Sequence, residues 1–229
     1  MQKEIDELKE GQRQIQEQIK DLKGDQPLKR VAPAKSQTPF DIDIDKSSPE
    51  SKGNERARVA IIEFSDFQCS YCLSYVTQTL PQIDKDYIRS GKVKYFFRNL
   101  PLTSGHPNAF RAAEAAHCAA EQGKFWQAHD RFFANQNTLN PNDWPQHARA
   151  LGLDVPKFNE CLQSGKFDEG INKDLDEAQS LGIDGTPAFL IGVMAPNGQT
   201  VSVRKVMLGA EPYDSFKQAL DELLSSRGK

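Results

Sequence analysis

Apolar residues recur along this chain in three different rhythms, and each predicts a different kind of element. Over residues 1–25 they fall at 3,4 spacing: Met1, Ile5, Leu8, Ile15, Ile19 and Leu22, with Gln12 on the same seam. That is a heptad pattern, and it predicts a coiled-coil-like helix through which copies of the chain associate. Ile5 and Ile19 fall at a positions and Leu8 and Leu22 at d positions, which favours a dimer over a trimer. Three heptads carrying Gly11 and Gln12 make a marginal coiled coil, so a single amphipathic helix is the alternative. Residues 26–38 then turn to Pro, Lys, Ala, Ser and Gln, and Pro27 and Pro33 stop the helix, which marks a linker.

From residue 39 the rhythm changes to strands alternating with helices. FDIDID at 40–45 alternates like a half-buried strand, SSPESKGNER at 47–56 reads as a loop, and VAIIEF at 59–64 reads as a strand buried on both faces. Leu73, Val76, Leu80 and Ile83 then recur at helical spacing, and VKYFF at 93–97 is the next strand. Strand, helix and strand in this order make a βαβ unit with parallel strands.

Residues 106–182 carry only helical patterns: an Ala-rich helix near 109–121, an aromatic one near 125–135 and a short one near 143–151. Two more follow, one opened by Asp154 and Pro156 and one with Ile171, Leu175, Ala178 and Leu181 on a face and Gly182 as its stop. AFLIGVM at 188–194, the turn Pro196-Asn197-Gly198 and TVSVRKVML at 200–208 predict a hairpin. A last amphipathic helix carries Phe216, Leu220, Leu223 and Leu224. The expected class is α/β, with 39–104 and 183–229 forming the two parts of one sheet domain around a helical insert at 105–182.

Charge and length narrow the function. The 229 residues carry a net charge of −3 with both signs mixed, which offers nucleic acid no basic face. No run approaches the roughly 18–20 apolar residues of a membrane span, and no apolar signal region follows Met1. The chain nevertheless opens inside a helical pattern, as a processed exported protein does once its signal or anchor is removed. The four cysteines form one tight pair, Cys69 and Cys72, and one wide pair, Cys118 and Cys161. An even count so arranged fits one working and one structural disulfide, and an oxidising compartment. The alternative for the wide pair is two buried free thiols.

A Cys-x-x-Cys pair serves as half of a zinc clip, as a structural bridge or as a dithiol that trades electrons. A four-cysteine zinc site wants a second close pair about 15–20 residues away, and Cys118 and Cys161 are not one, although a histidine could complete a mixed site. The strand-then-helix setting favours the dithiol. A cysteine at a helix start faces unpaired amides and the positive end of the dipole, which stabilise a thiolate. Cys69 holds that place and is read as the exposed nucleophile, with Cys72, one turn in, as the resolving thiol. Glu63 lies six residues earlier in a strand that otherwise reads as core. Burial there raises a carboxyl pKa into the range useful for exchanging a proton with Cys72; the alternative is a strand-end acid that meets solvent or Lys94. Pro187, just before a strand and after a Gly-containing turn, is a candidate cis proline.

EFSDFQCSYC, NLPLTSGHPNAFRAAEAAHCAAEQGKFWQAHDRFF and GIDGTPAFLIG, in that order, resemble the DsbA-like thiol-disulfide oxidoreductases of bacterial envelopes from about Phe40 to Leu224. The resemblance implies a thioredoxin fold with an inserted helical domain and an enzyme needing neither metal nor organic cofactor. It maps Cys69 and Cys72 onto the redox pair, Glu63 onto the buried acid, and Thr186 with Pro187 onto the cis-proline loop that binds extended substrate. The dipeptide Ser70-Tyr71 replaces the Pro-His of the best-known member. Tyr71, Thr186 and the heptad seam look closer to isomerase-like relatives. Implied partners are unfolded or misoxidised exported proteins and a membrane redox protein of the DsbB or DsbD type, in the periplasm or on the cell-envelope exterior. His106 is expected at a helix start, His117, His129 and His147 at the surface or in packing roles, and Phe125, Trp126, Phe132 and Phe133 in the core of the insert.

Overall fold

The computed structural model describes residues 39–45, 48 and 50–226. The heptad seam and the linker lie outside the described residues. Val59–Ser65 forms the central strand β3, buried along its whole length, because seven consecutive residues have no polar face to offer solvent beyond Glu63 and Ser65. Around it, β1 (Phe40–Asp43), β2 (Ser51–Gly53), β4 (Val93–Asn99), β5 (Ala188–Met194) and β6 (Thr200–Leu208) assemble into one sheet in the order β1-β6-β5-β3-β4-β2. Only β3 and β4 run parallel, as a βαβ crossover requires, with Glu63 opposite Phe97 and Ile61 opposite Tyr95. The β5–β6 hairpin kinks at Gly192, where a Cβ would stand 2.3 Å from the Ser202 carbonyl oxygen.

Two expectations need correction. The stretch read as a loop contains β2, whose three residues Ser51, Lys52 and Gly53 pair antiparallel with Phe96, Tyr95 and Lys94. A short edge strand without apolar residues has no periodicity to reveal it. Gly53, at φ +99°, lets the backbone approach the Val93 carbonyl oxygen closely. The helix expected from Leu73 to Ile83 is divided. The first piece is α1 (Ser70–Gln78) and the second α2 (Leu80–Ile83), continued by a wider turn over Asp84–Ile88. Pro81 lies in the first turn of α2, where its missing N–H costs no hydrogen bond.

The insert holds α3 (Ala109–Ala120), α4 (Phe125–Ala134), α5 (Trp144–Ala150), α6 (Val155–Ser164) and α7 (Asp168–Ser180), and α8 (Tyr213–Ser225) closes the described chain. Asp154 caps α6 by accepting the Lys157 amide at 3.1 Å. Alternation along β3 sorts the core. Val59 and Ile61 pack with Tyr75, Ile83 and Phe216 on one face, while Ala60, Ile62 and Phe64 pack with Ala178 and Leu181 on the other. A third cluster joins Phe67, Cys69 and Cys72 to Phe125, Phe132 and Phe133 of the insert, so the cysteine pair lies where insert and sheet meet.

Candidate active site

Cys69 is the N-cap residue of α1, with an extended backbone at φ −73° and ψ 123°. A side chain there faces the amides of the second and third helical residues, Tyr71 and Cys72. No acidic residue stands in the first turn to oppose a negative charge. The Cys69 thiol is accordingly lowered to about 5. The hydrogen bond from the Cys72 thiol does most of this, and the Thr186 side chain and the amides of Cys72 and Tyr71 add to it against a cost of burial. Cys72 moves the other way: burial raises it well above the ordinary thiol value, and its bond to Cys69 raises it further. Between the two free thiols the proton therefore resides on Cys72.

The expectation of an exposed nucleophile is corrected: Cys69 is only 5% exposed. The loop that carries it is held from the insert. Gln136 Nε2 donates to the carbonyl oxygens of Phe67 and Cys69, both at 2.9 Å, and Gln68 Oε1 accepts the Asn108 amide at 2.7 Å. Asp66, also buried, accepts the Gln68 amide at 2.7 Å and the Leu102 amide at 2.8 Å. Opposite, the Thr186–Pro187 peptide is cis. Cys69 Sγ lies 3.5 Å from the Thr186 carbonyl oxygen, and the Gly209 amide donates to the Pro187 carbonyl oxygen at 2.8 Å. Ser70 is exposed and Tyr71 is 67% exposed, so both line the outer surface beside the sulfur.

Glu63 lies wholly inside. Burial raises its pKa against the opposing influence of His129, Tyr95, Ser65 and Lys52. Its Oε2 accepts from the Tyr95 hydroxyl, which lies 3.2 Å from the Tyr75 hydroxyl. Burial raises both tyrosines as well, which keeps them protonated as donors. Lys52 on β2 reaches over the Trp126 ring at 4.3 Å and the Tyr95 ring at 5.4 Å. It opens onto a cleft of about 340 Å³ lined also by Val76, Asp84, Asp130 and Phe133.

A raised carboxyl pKa has a signed consequence for stability. Above the ordinary value of 4.5 the folded chain holds a proton that the unfolded chain has released, so this group erodes stability as pH rises through its folded pKa. Glu63→Gln is expected to remove that erosion and to be more stable than the parent near neutrality. Denaturant unfolding of the reduced protein on the acid and neutral sides of the transition checks it, and equal stability of variant and parent at neutral pH would refute it.

Cys118 and Cys161 are joined by a disulfide between α3 and α6, with Cα atoms 5.8 Å apart. All four histidines have polar partners: His106 Nδ1 lies 2.8 Å from Asp66, His117 Nδ1 2.7 Å from Glu50 and His129 Nδ1 2.8 Å from Asp130, and His147 Nε2 donates to the Thr138 carbonyl oxygen at 2.8 Å. Among the described residues no group of three or more His, Cys, Asp or Glu is placed to hold a metal ion. Sequence reasoning missed Lys52, Tyr75, Tyr95, His129 and Gln136. Tyr95 shares a face with Glu63 only in the β3–β4 register, and Gln136 reaches Cys69 only through the packing of the insert.

Residues 47–204 match the thioredoxin family. The chain belongs to that family. Among curated relatives, this thioredoxin-family chain is 37% identical over 150 residues to the Na(+)/H(+) antiporter NhaA 3 of Salinispora tropica, a match spanning 66% of the chain and 22% of the relative. The chain thus spans less than a quarter of the first relatives it matches. It is 29% identical over 186 residues to the probable disulfide bond formation protein D of Bacillus anthracis, covering 78% of this chain and 79% of that one. The crystal structure of alpha-DsbA1 from Wolbachia pipientis superposes with a TM-score of 0.66 at 24% identity, over 76% of this chain and 90% of that one, which shows a shared fold.

A direct measurement tests the split between the two thiols. Alkylation of Cys69 in the reduced thioredoxin-family protein is expected to hold a plateau above about pH 5 and to fall tenfold per unit below it. Reactivity that climbs until the ordinary thiol value near 8.5 would remove the thiolate from the site.

Proposed function

We propose that the protein is a thiol-disulfide oxidoreductase that acts on exported proteins outside the cytoplasm. The observation that carries this is the cysteine at the α1 N-cap, lowered to about 5 beside a resolving thiol raised by burial. Stabilising the thiolate stabilises the dithiol state, and a pair whose dithiol is favoured is a strong donor when oxidised. In the donating direction a substrate thiolate attacks Cys69 of the Cys69–Cys72 disulfide. Cys72 leaves with the electron pair and takes up a proton, and a second substrate thiolate then displaces Cys69.

Glu63 supplies and collects the proton of Cys72. Ser70, Tyr71, Thr186 and Pro187 form the surface against which the substrate peptide lies. The Cys118–Cys161 bridge is structural and fits an oxidising compartment. A membrane redox protein of the DsbB or DsbD type restores the working state. Isomerisation uses the same first attack, made by the reduced enzyme on a wrong disulfide. It draws on the heptad seam of residues 1–25 as an assembly device.

Cys72→Ser in cells is expected to trap exported proteins on Cys69 as mixed disulfides that reductant releases. A pool of the parent protein held oxidised marks disulfide donation, and one held reduced marks isomerisation. No trapped species, together with no oxidation or reshuffling of a reduced or scrambled substrate in vitro, would end the proposal.

A further inference from the structure

Glu63 is fully buried, so a proton that it exchanges with Cys72 must reach and leave it through protein groups. Two buried polar side chains flank it with atoms lacking a hydrogen-bond partner, Ser65 at Oγ and His129 at Nε2, and Glu63 Oε1 lacks one as well. Buried polar atoms left without a partner are rare in folded proteins, so three around one carboxyl call for a role other than packing.

Ser65 stands two residues after Glu63 on β3, hence on the same face of the sheet, the one carrying Val59 and Ile61 against α1. Its hydroxyl is within reach of both the Glu63 carboxyl and the Cys72 thiol and lowers the pKa of each by donating towards it, without closing a well-aligned bond to either. A hydroxyl both donates and accepts, which suits a link between a thiol and a carboxylate.

His129 approaches from α4. It is boxed by Phe133, Trp126 and Phe97 at ring centroid distances of 4.9, 5.0 and 5.5 Å. After burial, its interaction is the largest influence on the Glu63 carboxyl. Its Nδ1 lies 2.8 Å from Asp130 Oδ1, and Asp130 has a 76% exposed side chain on the cleft beside α1. A carboxylate on Nδ1 fixes that proton there and leaves Nε2 as the accepting nitrogen.

We propose that Ser65 and His129 are the inner and outer links of a proton path that joins the Cys72 thiol, through Glu63, to solvent at Asp130. The path rests on the oxidoreductase reading above. When a mixed disulfide on Cys69 is resolved, the Cys72 proton passes to Ser65 Oγ and the Ser65 hydroxyl proton passes to Glu63. The Cys72 thiolate attacks Cys69 Sγ, forming the Cys69–Cys72 bond and breaking the bond to the substrate sulfur, which departs with the electron pair. Glu63 then gives its proton to His129 Nε2, and His129 Nδ1 releases one through Asp130 to water. Reduction of the enzyme runs the same path inward. The other ionisable groups facing Glu63 and Cys72 are Tyr95 from β4, Tyr75 from α1, Lys52 from β2 and Cys69 itself.

The test loads Cys69 of the full chain with a chromogenic aromatic thiol as a mixed disulfide and follows thiol release by stopped flow across the neutral pH range. Ser65→Ala and His129→Phe are each expected to slow release about 100-fold, the lower end of what a positioned proton-transfer group contributes. The Cys69 titration near 5 is expected to stay in place. Because the links act in series, the double variant should be no slower than the slower single. Ser65→Thr, which keeps the hydroxyl, should restore the rate, and His129→Gln replaces His129→Phe if the latter fails to fold.

Release at the parent rate in either single variant overturns the path. So do losses that multiply in the double variant, or a loss matched by an equal fall in Cys69 alkylation. If the parent protein itself releases no thiol, the oxidoreductase reading falls first. Release by the parent with unaffected variants removes the path alone.

Discussion

Cys69→Ser is expected to abolish disulfide exchange, to a level of the order of 10⁴-fold or more below the parent. Every step of the proposed cycle forms or breaks a bond at this one sulfur, and a serine hydroxyl at the same N-cap cannot form a disulfide at all. The helix itself should survive, because Cys69 stands at the N-cap of α1 and serine is a preferred N-cap residue. Unchanged circular dichroism beside lost activity in refolding of a reduced, disulfide-dependent substrate is the expected pair of observations. Exchange that persists through Cys72 alone would overturn the order of the two thiols, since Cys72 is wholly buried and holds its proton.

The second large effect concerns stability. Opening the Cys118–Cys161 bridge by paired replacement with alanine frees a loop spanning 43 positions, worth about 4 kcal/mol in the chain-entropy account. For a chain of this length that corresponds to a fall in Tm of roughly 8–16 °C. The bridge ties α3 to α6, and neither helix supplies a group that lowers Cys69. The Cys69 titration should therefore stay near 5 while the melting curve moves. Calorimetry and alkylation on the same variant separate the two, and an unchanged Tm would show that the packed interface of α3 and α6 holds without its covalent tie.

Much of the sheet domain could be read directly from the chain because its signals are local. VAIIEF has the continuous apolar run of a doubly covered strand, and the Asn197-Gly198 turn between two apolar segments specifies a hairpin. The place of Cys69 at a helix start follows from a strand that ends at Phe64 giving way to a 3,4 pattern that begins at Leu73. Such features depend on neighbours in sequence.

What could not be read depends on neighbours in space. Ser51-Lys52-Gly53 is a strand only because Lys94, Tyr95 and Phe96 pair with it. Leu73, Val76, Leu80 and Ile83 keep one period across the break at Thr79, so the division of the helix leaves the pattern untouched. Tyr95 reads as another core aromatic until register brings its hydroxyl to Glu63. His129, given a packing role from sequence, does pack against aromatic rings, yet its electrostatic link to Glu63 is invisible to any pattern in the chain.

The hydrogen bonds that Gln136 and Asn108 make to the segment 66–69 tether the cysteine loop to the insert. The backbone carbonyls of Phe67 and of Cys69 itself share one amide nitrogen, and that nitrogen belongs to a residue of the insert. A sheet domain expressed without those helices would lose these ties, and its cysteine loop would be free to leave the geometry in which the two sulfurs meet.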